Sequence, residues 1–166
     1  MSTIALDTRS KTRTEKAPWS RLWKENNGHW LIILGKKQLP RKPITTTFVL
    51  GEIKKGFSYG SFERLKDAMG VSSKDLESFI SIPSTTLTNR RKKGQFSPQE
   101  SDRMARIAKI FKQAVDLFEG DSKEAKAWLW DSNKALGGEA PIVHAETSIG
   151  AEQVSNLIGQ IEHTIY

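Results

Sequence analysis

The chain has 166 residues, of which 37% are hydrophobic and 27% charged, and a formal net charge of +7. It contains no cysteine, which excludes disulfides, thiolate metal sites and cysteine nucleophiles. Its longest apolar run, residues 30–34, is far too short for a membrane span or a signal-peptide core. We therefore expect one or two small domains in the cytoplasm, with no membrane partner.

The charge is unevenly distributed along the chain. Residues 1–60 hold 12 Lys/Arg and 4 Asp/Glu, residues 61–120 hold 11 and 8, and residues 121–166 hold 3 and 7. The net charges of these three parts are +8, +3 and −4. This polarity indicates an N-terminal part that faces a polyanion and a C-terminal part with another partner, although solvated surface charge also produces it.

The N-terminal region begins with a basic segment, residues 1–17, that lacks periodicity and is predicted to be a flexible arm. Pro18 then opens a short helix that carries Trp19 and Trp23 on one face. Its aromatics lie among basic residues and could stack on nucleic-acid bases, but packing in the core is the interpretation we favour. Residues 28–37 fit a strand or a buried helix, and the helical character of the remaining chain favours a helix.

The rest of the chain predicts an all-α fold. Apolar residues at helical spacing indicate a helix that stops at Gly56 and another that is capped by Ser61 and ends at Gly70. Residues 97–100 form a capping box with proline at the first helical position, which predicts a long central helix. Its apolar stripe comprises Met104, Ile107, Ala108, Phe111, Ala114, Val115 and Phe118. Shorter helices follow, and the last runs from about Gly150.

Residues 74–94 have the pattern of a helix-turn-helix. Two short helices meet at a corner that Pro83 enforces, because proline lacks an amide hydrogen and disfavours helical geometry in the preceding residue. The second helix has Leu87 as its only large apolar residue and ends at Gly94. Its other sides are polar or basic and are the predicted DNA-binding residues: Ser84, Thr85, Thr88, Asn89, Arg91 and Lys92.

These residue types suit recognition of double-stranded DNA in the major groove. Asparagine pairs with adenine, threonine methyls contact thymine methyls, and the basic run of residues 90–93 would neutralise phosphates. The alternative is an ordinary solvated helix end, since cations also favour helix C-termini. We interpret residues 18–120 as a helical DNA-binding domain that contains this motif.

The chain offers no enzyme chemistry that we recognise. Its three histidines are widely separated in sequence, and the pair His144 and Glu146 lacks the cysteines that a zinc deaminase site needs. Neither a glycine-rich phosphate loop nor a serine nucleophile elbow is present. We predict a protein that is not an enzyme and that uses no metal or cofactor.

Several separate motifs resemble the Xre/MbcA/ParS antitoxins in order and spacing. They occupy residues 95–103, the pair Trp128-Leu129, residues 133–141, residues 150–154 and residues 157–163. The resemblance covers roughly residues 56–166. This chain departs from many relatives at Ser132, where they have proline, and at Thr164, where they have glycine.

The resemblance implies an Xre-like helix-turn-helix domain followed by a small helical toxin-binding domain, here residues 121–166. Members of the family pair with RES-domain toxins, which deplete NAD. The chain would thus inhibit such a toxin and repress its own operon, as a homodimer within a larger toxin–antitoxin complex that associates with the nucleoid through its operator. The alternative function is a stand-alone dimeric repressor with no toxin partner.

We expect a loop and the C-terminal tail to enter or cover the NAD cleft of the toxin. A cleft for an anionic dinucleotide should be basic, which suits the acidic character of this end of the chain. The predicted toxin-binding residues are Lys134, Leu136, Gly137, Gly138, Glu139, Glu162, His163, Ile165 and Tyr166. The alternative is that Leu136, Ile161 and Ile165 only pack the core of their own domain and that the two glycines only form a turn.

Overall fold

The structure is a computed structural model that describes residues 19–36 and 40–165. The described residues form nine α-helices and two 3-10 helices, which confirms the all-α prediction. The α-helices are α1 (Gly28–Leu34), α2 (Thr46–Lys55), α3 (Tyr59–Met69), α4 (Ser73–Phe79), α5 (Ser84–Lys93), α6 (Pro98–Leu117), α7 (Ser122–Trp130), α8 (Pro141–His144) and α9 (Ser148–Ile165). The 3-10 helices are Ser20–Lys24 and Lys134–Leu136. The predicted flexible arm and the start of the first helix at Pro18 lie outside the described residues.

Helix α6 is the centre of the fold. Ser97 accepts a hydrogen bond from the Glu100 amide while the Glu100 side chain accepts one from the Ser97 amide, which confirms the predicted capping box. The predicted apolar stripe is buried from Met104 to Val115, and Phe118 is partly buried at the C-terminal cap. Helix α6 contacts α1, α2, α3, α7 and α9. In the described parts of the chain, none of the helices is long and apolar enough to span a bilayer.

The N-terminal tryptophans belong to the core. Trp23 is fully buried, its indole nitrogen donates a hydrogen bond to the Ala68 carbonyl at 2.7 Å, and its ring lies 4.6 Å from that of Phe111. Trp19 is partly buried and packs against the same core. The ambiguous segment that follows is helical, as α1 shows. Core packing therefore explains Trp23, which is inaccessible to nucleic-acid bases.

Two predicted helix starts are wrong, one by three residues and the other by two. Ser58, rather than Ser61, occupies the N-cap of α3. Ser61 is buried inside the helix instead, and its hydroxyl donates to the Ile33 carbonyl at 2.7 Å. Both serines satisfy the local signal for a helix start, and the packing of α3 against α1 decides between them. Helix α9 likewise begins at Ser148, before the predicted Gly150.

Two candidate interaction surfaces

The helix-turn-helix motif is formed by α4 and α5. Ser72 caps α4 by accepting a hydrogen bond from the Asp75 amide at 3.1 Å, and Pro83 lies at the N-cap of α5. Leu87 is the one buried side chain of α5, with 8% of its surface exposed. Gly94 ends the helix with φ of +80°, a conformation that favours glycine. These observations confirm the two helices and the anchor that the sequence predicted.

The corner between α4 and α5 is held by residues other than the predicted DNA-binding side chains. Ser81 adopts φ of +52°, which is uncommon for a residue with a side chain. Its carbonyl accepts a hydrogen bond from the Arg103 guanidinium of α6 at 3.2 Å. The next amide, of Ile82, donates to the Glu77 carbonyl at 2.9 Å, and the Ile82 side chain is buried. The orientation of α5 is therefore fixed to α6 and not only to α4.

The six predicted DNA-binding side chains are all exposed, but they are not equally free. The Ser84 hydroxyl donates to the Glu77 carboxylate at 2.5 Å, and the Thr88 hydroxyl donates to the Ser84 carbonyl at 3.0 Å. These bonds occupy both hydroxyl hydrogens. Thr85 and Asn89 make no side-chain hydrogen bond within the described part of the chain, so their polar groups are available to base edges.

The four basic residues at the end of α5 have different roles, because one of them forms an ion pair within the fold and the others are exposed. Arg90 donates to both carboxylate oxygens of Glu100, at 2.8 and 3.0 Å, and so joins α5 to the capping box of α6. Burial alone would raise the pKa of Glu100, but the hydrogen bonds from Arg90 and Ser97 outweigh it and lower that pKa. Arg90 is therefore committed to the fold, and the cations left for phosphate contact are Arg91, Lys92 and Lys93.

Tyr59 supports Arg91 and was not singled out by the sequence. The Arg91 guanidinium lies 5.6 Å from the centre of the Tyr59 ring, within the range of a cation–π contact. The ring itself stacks on Phe96 at 5.9 Å, and its hydroxyl donates to Glu63 at 3.1 Å. Lys55 and Lys93 line a neighbouring cleft at the end of α5. These contacts extend the basic face of α5 towards α2 and α3.

The predicted toxin-binding loop is closed by its own backbone. The Asn133 amide donates to the Glu139 carbonyl at 3.1 Å, and the Gly138 amide donates to the Asn133 carbonyl at 2.9 Å. Gly137 and Gly138 have φ of +70° and +87°, so the turn requires residues without a Cβ. Leu136 is buried with 9% of its surface exposed and anchors the loop. Lys134, the two glycines and Glu139 are exposed, so the loop combines a core contact with an accessible surface.

His144 connects this loop to α9. Its Nδ1 lies 2.6 Å from a carboxylate oxygen of Glu139, and its Nε2 lies 2.5 Å from the side-chain oxygen of Gln153. The hydrogen bonds with Gln153 and Glu139 raise the pKa of His144 above its ordinary value, because both oxygens favour a protonated ring. The sequence suggested no role for His144, since its two partners lie five and nine residues away and meet the ring only because the loop, α8 and α9 pack together.

The C-terminal tail continues α9 as a helix. The Thr164 hydroxyl donates to the Gln160 carbonyl at 2.8 Å, so the residue that replaces the family's common glycine remains helical. Glu162, His163 and Ile165 are exposed, and Ile165 has 66% of its surface accessible. Tyr166, the last predicted contact, lies outside the described residues.

Residues at the end of α6 join the tail to form a cleft. The cleft is lined by Asp116, Leu117, Phe118, Glu119, Glu162, His163 and Ile165. Glu119 and Gly120 both have positive φ, at +54° and +90°, where the chain turns sharply out of α6. Phe118 was predicted to belong to the apolar stripe of α6, and no role was predicted for Glu119. Their position beside the tail depends on how α9 packs on α6.

Comparisons with known proteins also distinguish a helix-turn-helix region from a C-terminal toxin-binding region. The Antitoxin Xre-like helix-turn-helix domain matches residues 49–109, and the Antitoxin Xre/MbcA/ParS C-terminal toxin-binding domain matches residues 113–163. The protein named Antitoxin Xre from Yersinia enterocolitica is 36% identical over 121 residues, which cover 72% of this chain and 82% of that protein. This chain belongs to the Xre/MbcA/ParS family of antitoxins.

Two further relatives of this Xre-family antitoxin carry antitoxin names. Antitoxin Xre from Photorhabdus laumondii is 44% identical over 73 residues, covering 44% of this chain and 49% of that protein. The Prs ADP-ribosylating antitoxin from a Sphingobium strain is 29% identical over 122 residues, covering 68% and 77%. The chain is a type II antitoxin with a helix-turn-helix and a toxin-binding domain, and its relatives are regulators rather than enzymes.

The two domain matches meet inside α6 of the antitoxin. The first ends at residue 109 and the second begins at residue 113, whereas α6 runs without interruption from Pro98 to Leu117. All six predicted DNA-binding residues lie in the first match, and the predicted loop and Glu162 and His163 lie in the second. The finer predictions, both the individual contact residues and the domain limits after residues 17 and 120, stay predictions.

Proposed function

We propose that this antitoxin neutralises a RES-type toxin that depletes NAD, by covering the toxin's NAD cleft with its C-terminal domain. The observation that carries the proposal is the exposed end of α9, which presents the carboxylate of Glu162 and the apolar side chain of Ile165 beside a cleft. An acidic and partly apolar projection is complementary to a basic pocket that binds the phosphates and rings of a dinucleotide. The toxin-binding match over this region supports the same assignment.

The length of α9 separates the loop from the C-terminal tail, so the two would contact different parts of the toxin. From Gln153, which His144 joins to the loop, to Glu162 is nine residues of α9. In an α-helix this is about 13 Å along the axis and about half a turn of rotation. The loop and Glu162 therefore do not form one contact point. We propose that the end of α9 enters the NAD cleft of the toxin and that Gly137, Gly138 and Glu139 contact the rim of that cleft.

The name of one relative indicates a class of reaction that the toxin partner could catalyse. The Sphingobium relative is named for ADP-ribosylation, and ADP-ribosyl transfer uses NAD as its donor. Both NAD depletion and ADP-ribosyl transfer start from NAD in a cleft, so the same surface would block either reaction. Incubating the toxin with NAD alone separates the two, because only a depleting toxin consumes it without a protein acceptor.

We further propose that α5 binds operator DNA and represses the antitoxin's own operon. Thr85 and Asn89 would contact bases, while Arg91 and Lys92 would contact phosphates. A homodimer would require an inverted-repeat operator with half-sites about 34 Å apart, or a multiple of that distance. The complex would act in the cytoplasm, at the nucleoid when bound to its operator.

A truncation tests the toxin-binding assignment. The full-length chain and a chain ending at residue 161 would each be co-expressed and co-purified with the product of the neighbouring gene, and NAD consumption would be measured. We expect the full-length chain to inhibit the toxin and the truncated chain to lose inhibition by at least about a hundredfold, since several central contacts are removed together.

Operator binding by both proteins controls for folding in this experiment. We expect it to be equal, because the deleted residues extend past the buried part of α9. Full inhibition by the truncated chain would contradict the proposed contact. If neither protein captured the neighbouring gene product but both bound the operator, the stand-alone repressor would be the correct reading.

A further inference from the structure

His144 has a role that neither the sequence nor the family resemblance assigned. We propose that His144 is a positioning residue of the toxin-binding surface, which holds Glu139 of the loop and Gln153 of α9 in one fixed arrangement. This inference rests on the proposed function, since it concerns the surface that would contact the toxin. It names a residue that would determine affinity without touching the partner.

The geometry of the His144 bridge, formed by Glu139, His144 and Gln153, supports this role. Both ring nitrogens are within 2.6 Å of an oxygen, one on the loop and one on α9. Each side chain alone is a flexible surface group, because Glu139 and Gln153 are exposed. The ring is less mobile than either partner, since its own helix, α8, packs against both α7 and α9. One planar group therefore fixes two exposed side chains.

The protonation of the ring follows from its partners. Both atoms that face it are oxygens, so both ring nitrogens must carry hydrogen for two hydrogen bonds to form. A neutral ring satisfies both contacts only if the Gln153 amide turns to present its NH₂ group to Nε2. In either state Nδ1 donates to Glu139, so that carboxylate stays hydrogen-bonded to the ring.

Holding the carboxylate in advance should strengthen binding to a toxin. A free glutamate side chain loses rotamer entropy when it is immobilised at an interface, and a side chain that is already fixed avoids that loss. Without the bridge, the loop would keep its internal backbone bonds, because these join Asn133 to Gly138 and Glu139 and do not involve His144. Removal of the ring should thus affect affinity more than the fold.

The test compares substitutions of His144 in the full-length chain. We expect His144→Ala to raise the inhibition constant for the toxin's NAD consumption about tenfold, with unchanged operator binding. His144→Asn should restore part of the affinity, because its amide nitrogen occupies the position of Nδ1 and can donate to Glu139. Equal inhibition by wild type, His144→Ala and His144→Asn would overturn the proposal.

Ser155→Ala is the matched control. Ser155 also lies on α9 and its hydroxyl donates a hydrogen bond, but to Gln113 of α6 at 2.8 Å and not to the loop. We expect this variant to inhibit the toxin as the wild type does. If it weakened inhibition as much as His144→Ala, loss of any bond to α9 would explain both results and the positioning role would be wrong.

A double-mutant cycle keeps the proposal testable if His144→Ala unfolds. Gln153→Ala removes the bridge from the other side, and combining it with His144→Asn should cost less than the sum of the two single effects. Additive effects would overturn the bridge. If the wild type itself failed to inhibit the toxin, both the proposed function and this inference would be wrong. If the wild type inhibited the toxin and the variants had the same inhibition constant, only this inference would be wrong.

Discussion

Two exposed helices, α5 and α9, present this antitoxin's candidate surfaces in different ways. Helix α5 buries one residue, Leu87, and exposes polar side chains along its length. Helix α9 buries four residues in its first part, Gly150, Ala151, Val154 and Ile158, and its last residues, from Glu162 to Ile165, are exposed. The candidate surface of α5 is therefore one side of the helix along its length, whereas that of α9 is its C-terminal end.

The difference follows from the shapes that the two helices would bind. A major groove accepts a helix lengthwise, so side chains along one face must stay free of the core. A cleft accepts a projection, so a helix can be packed firmly at its base and remain free at its tip. Because α5 has little apolar contact of its own, the ion pair of Arg90 with Glu100 and the bond from Arg103 to Ser81 hold its position.

The largest effect should come from the packed base of α9. A Cβ at Gly150 would lie 1.7 Å from the His144 carbonyl oxygen, and a backbone atom cannot move away cheaply. We expect Gly150→Ala to lower the free energy of unfolding by about 3 kcal/mol or more. Toxin inhibition should fall with it, as measured by thermal melting and an NAD assay.

Gly159→Ala is the control on the same helix. A Cβ at Gly159 has no neighbouring atom within 4 Å, so alanine should stabilise the free protein by about 0.5–1 kcal/mol through its helix propensity. Equal effects of the two substitutions would show that α9 is not packed at its base as described.

Lowering the pH should destabilise the fold that supports both α5 and α9. His29 is buried, and burial together with the positive charges of Lys112 and Lys109 lowers its pKa to about 4. The unfolded chain therefore binds a proton that the folded chain does not between pH 6.5 and about 4. The free energy of unfolding should decrease as the pH falls through this window, by on the order of 3 kcal/mol at most.

Chemical denaturation at several pH values measures this dependence. His29→Leu should remove this component, because leucine binds no proton in either state. The operator-binding and toxin-binding activities should decline together in the wild type, since α1 packs on α6, which contacts α9 and is joined to α5 by the Arg90–Glu100 ion pair. An unchanged pH profile in His29→Leu would contradict the assignment to His29.

The smallest effects should come from single side chains of α5. Arg91→Ala should weaken operator binding by about 1 kcal/mol for all sequences alike and reduce the salt dependence by about one phosphate contact. Asn89→Ala should instead change which base is preferred, by about 1–3 kcal/mol at one position. Binding assays at several salt concentrations, with the operator and with altered sites, distinguish the two.

Lys123→Ala serves as a control for these measurements, because it removes an exposed cation from α7. Its salt dependence should equal that of the wild type. If Lys123→Ala and Arg91→Ala reduced the salt dependence equally, general charge rather than α5 would account for binding.

Sequence reasoning identified the features that depend on neighbouring residues. The capping box at Ser97, the stop at Gly94 and the isolated Leu87 are signals within one or two helical turns, and all three are confirmed. The sequence prediction placed the cap of α3 at Ser61, whereas Ser58 occupies it, because the packing of α3 on α1 buries Ser61 inside the helix. Local chemistry therefore predicted the helices better than their exact bounds.

Contacts between side chains on separate helices and loops escaped prediction for the same reason. The support of Arg91 by Tyr59 and the bridge at His144 depend on how separate helices pack, and no spacing in the sequence marks them. Arg90 illustrates the cost of this limit. It belongs to the same basic run as Arg91, yet its partner Glu100 turns it from a cation available to DNA into part of the fold.

The continuity of α6 would set the geometry between the operator and the toxin that we propose this antitoxin binds. Each residue of a helix adds about 1.5 Å and about 100° of rotation, so an uninterrupted α6 would fix the angular phase of a bound toxin relative to the DNA axis. On an operator with repeated half-sites, that phase would decide whether toxins on adjacent antitoxins point away from each other or collide. Spacing between half-sites and the handedness of the double helix would then select which assemblies fit.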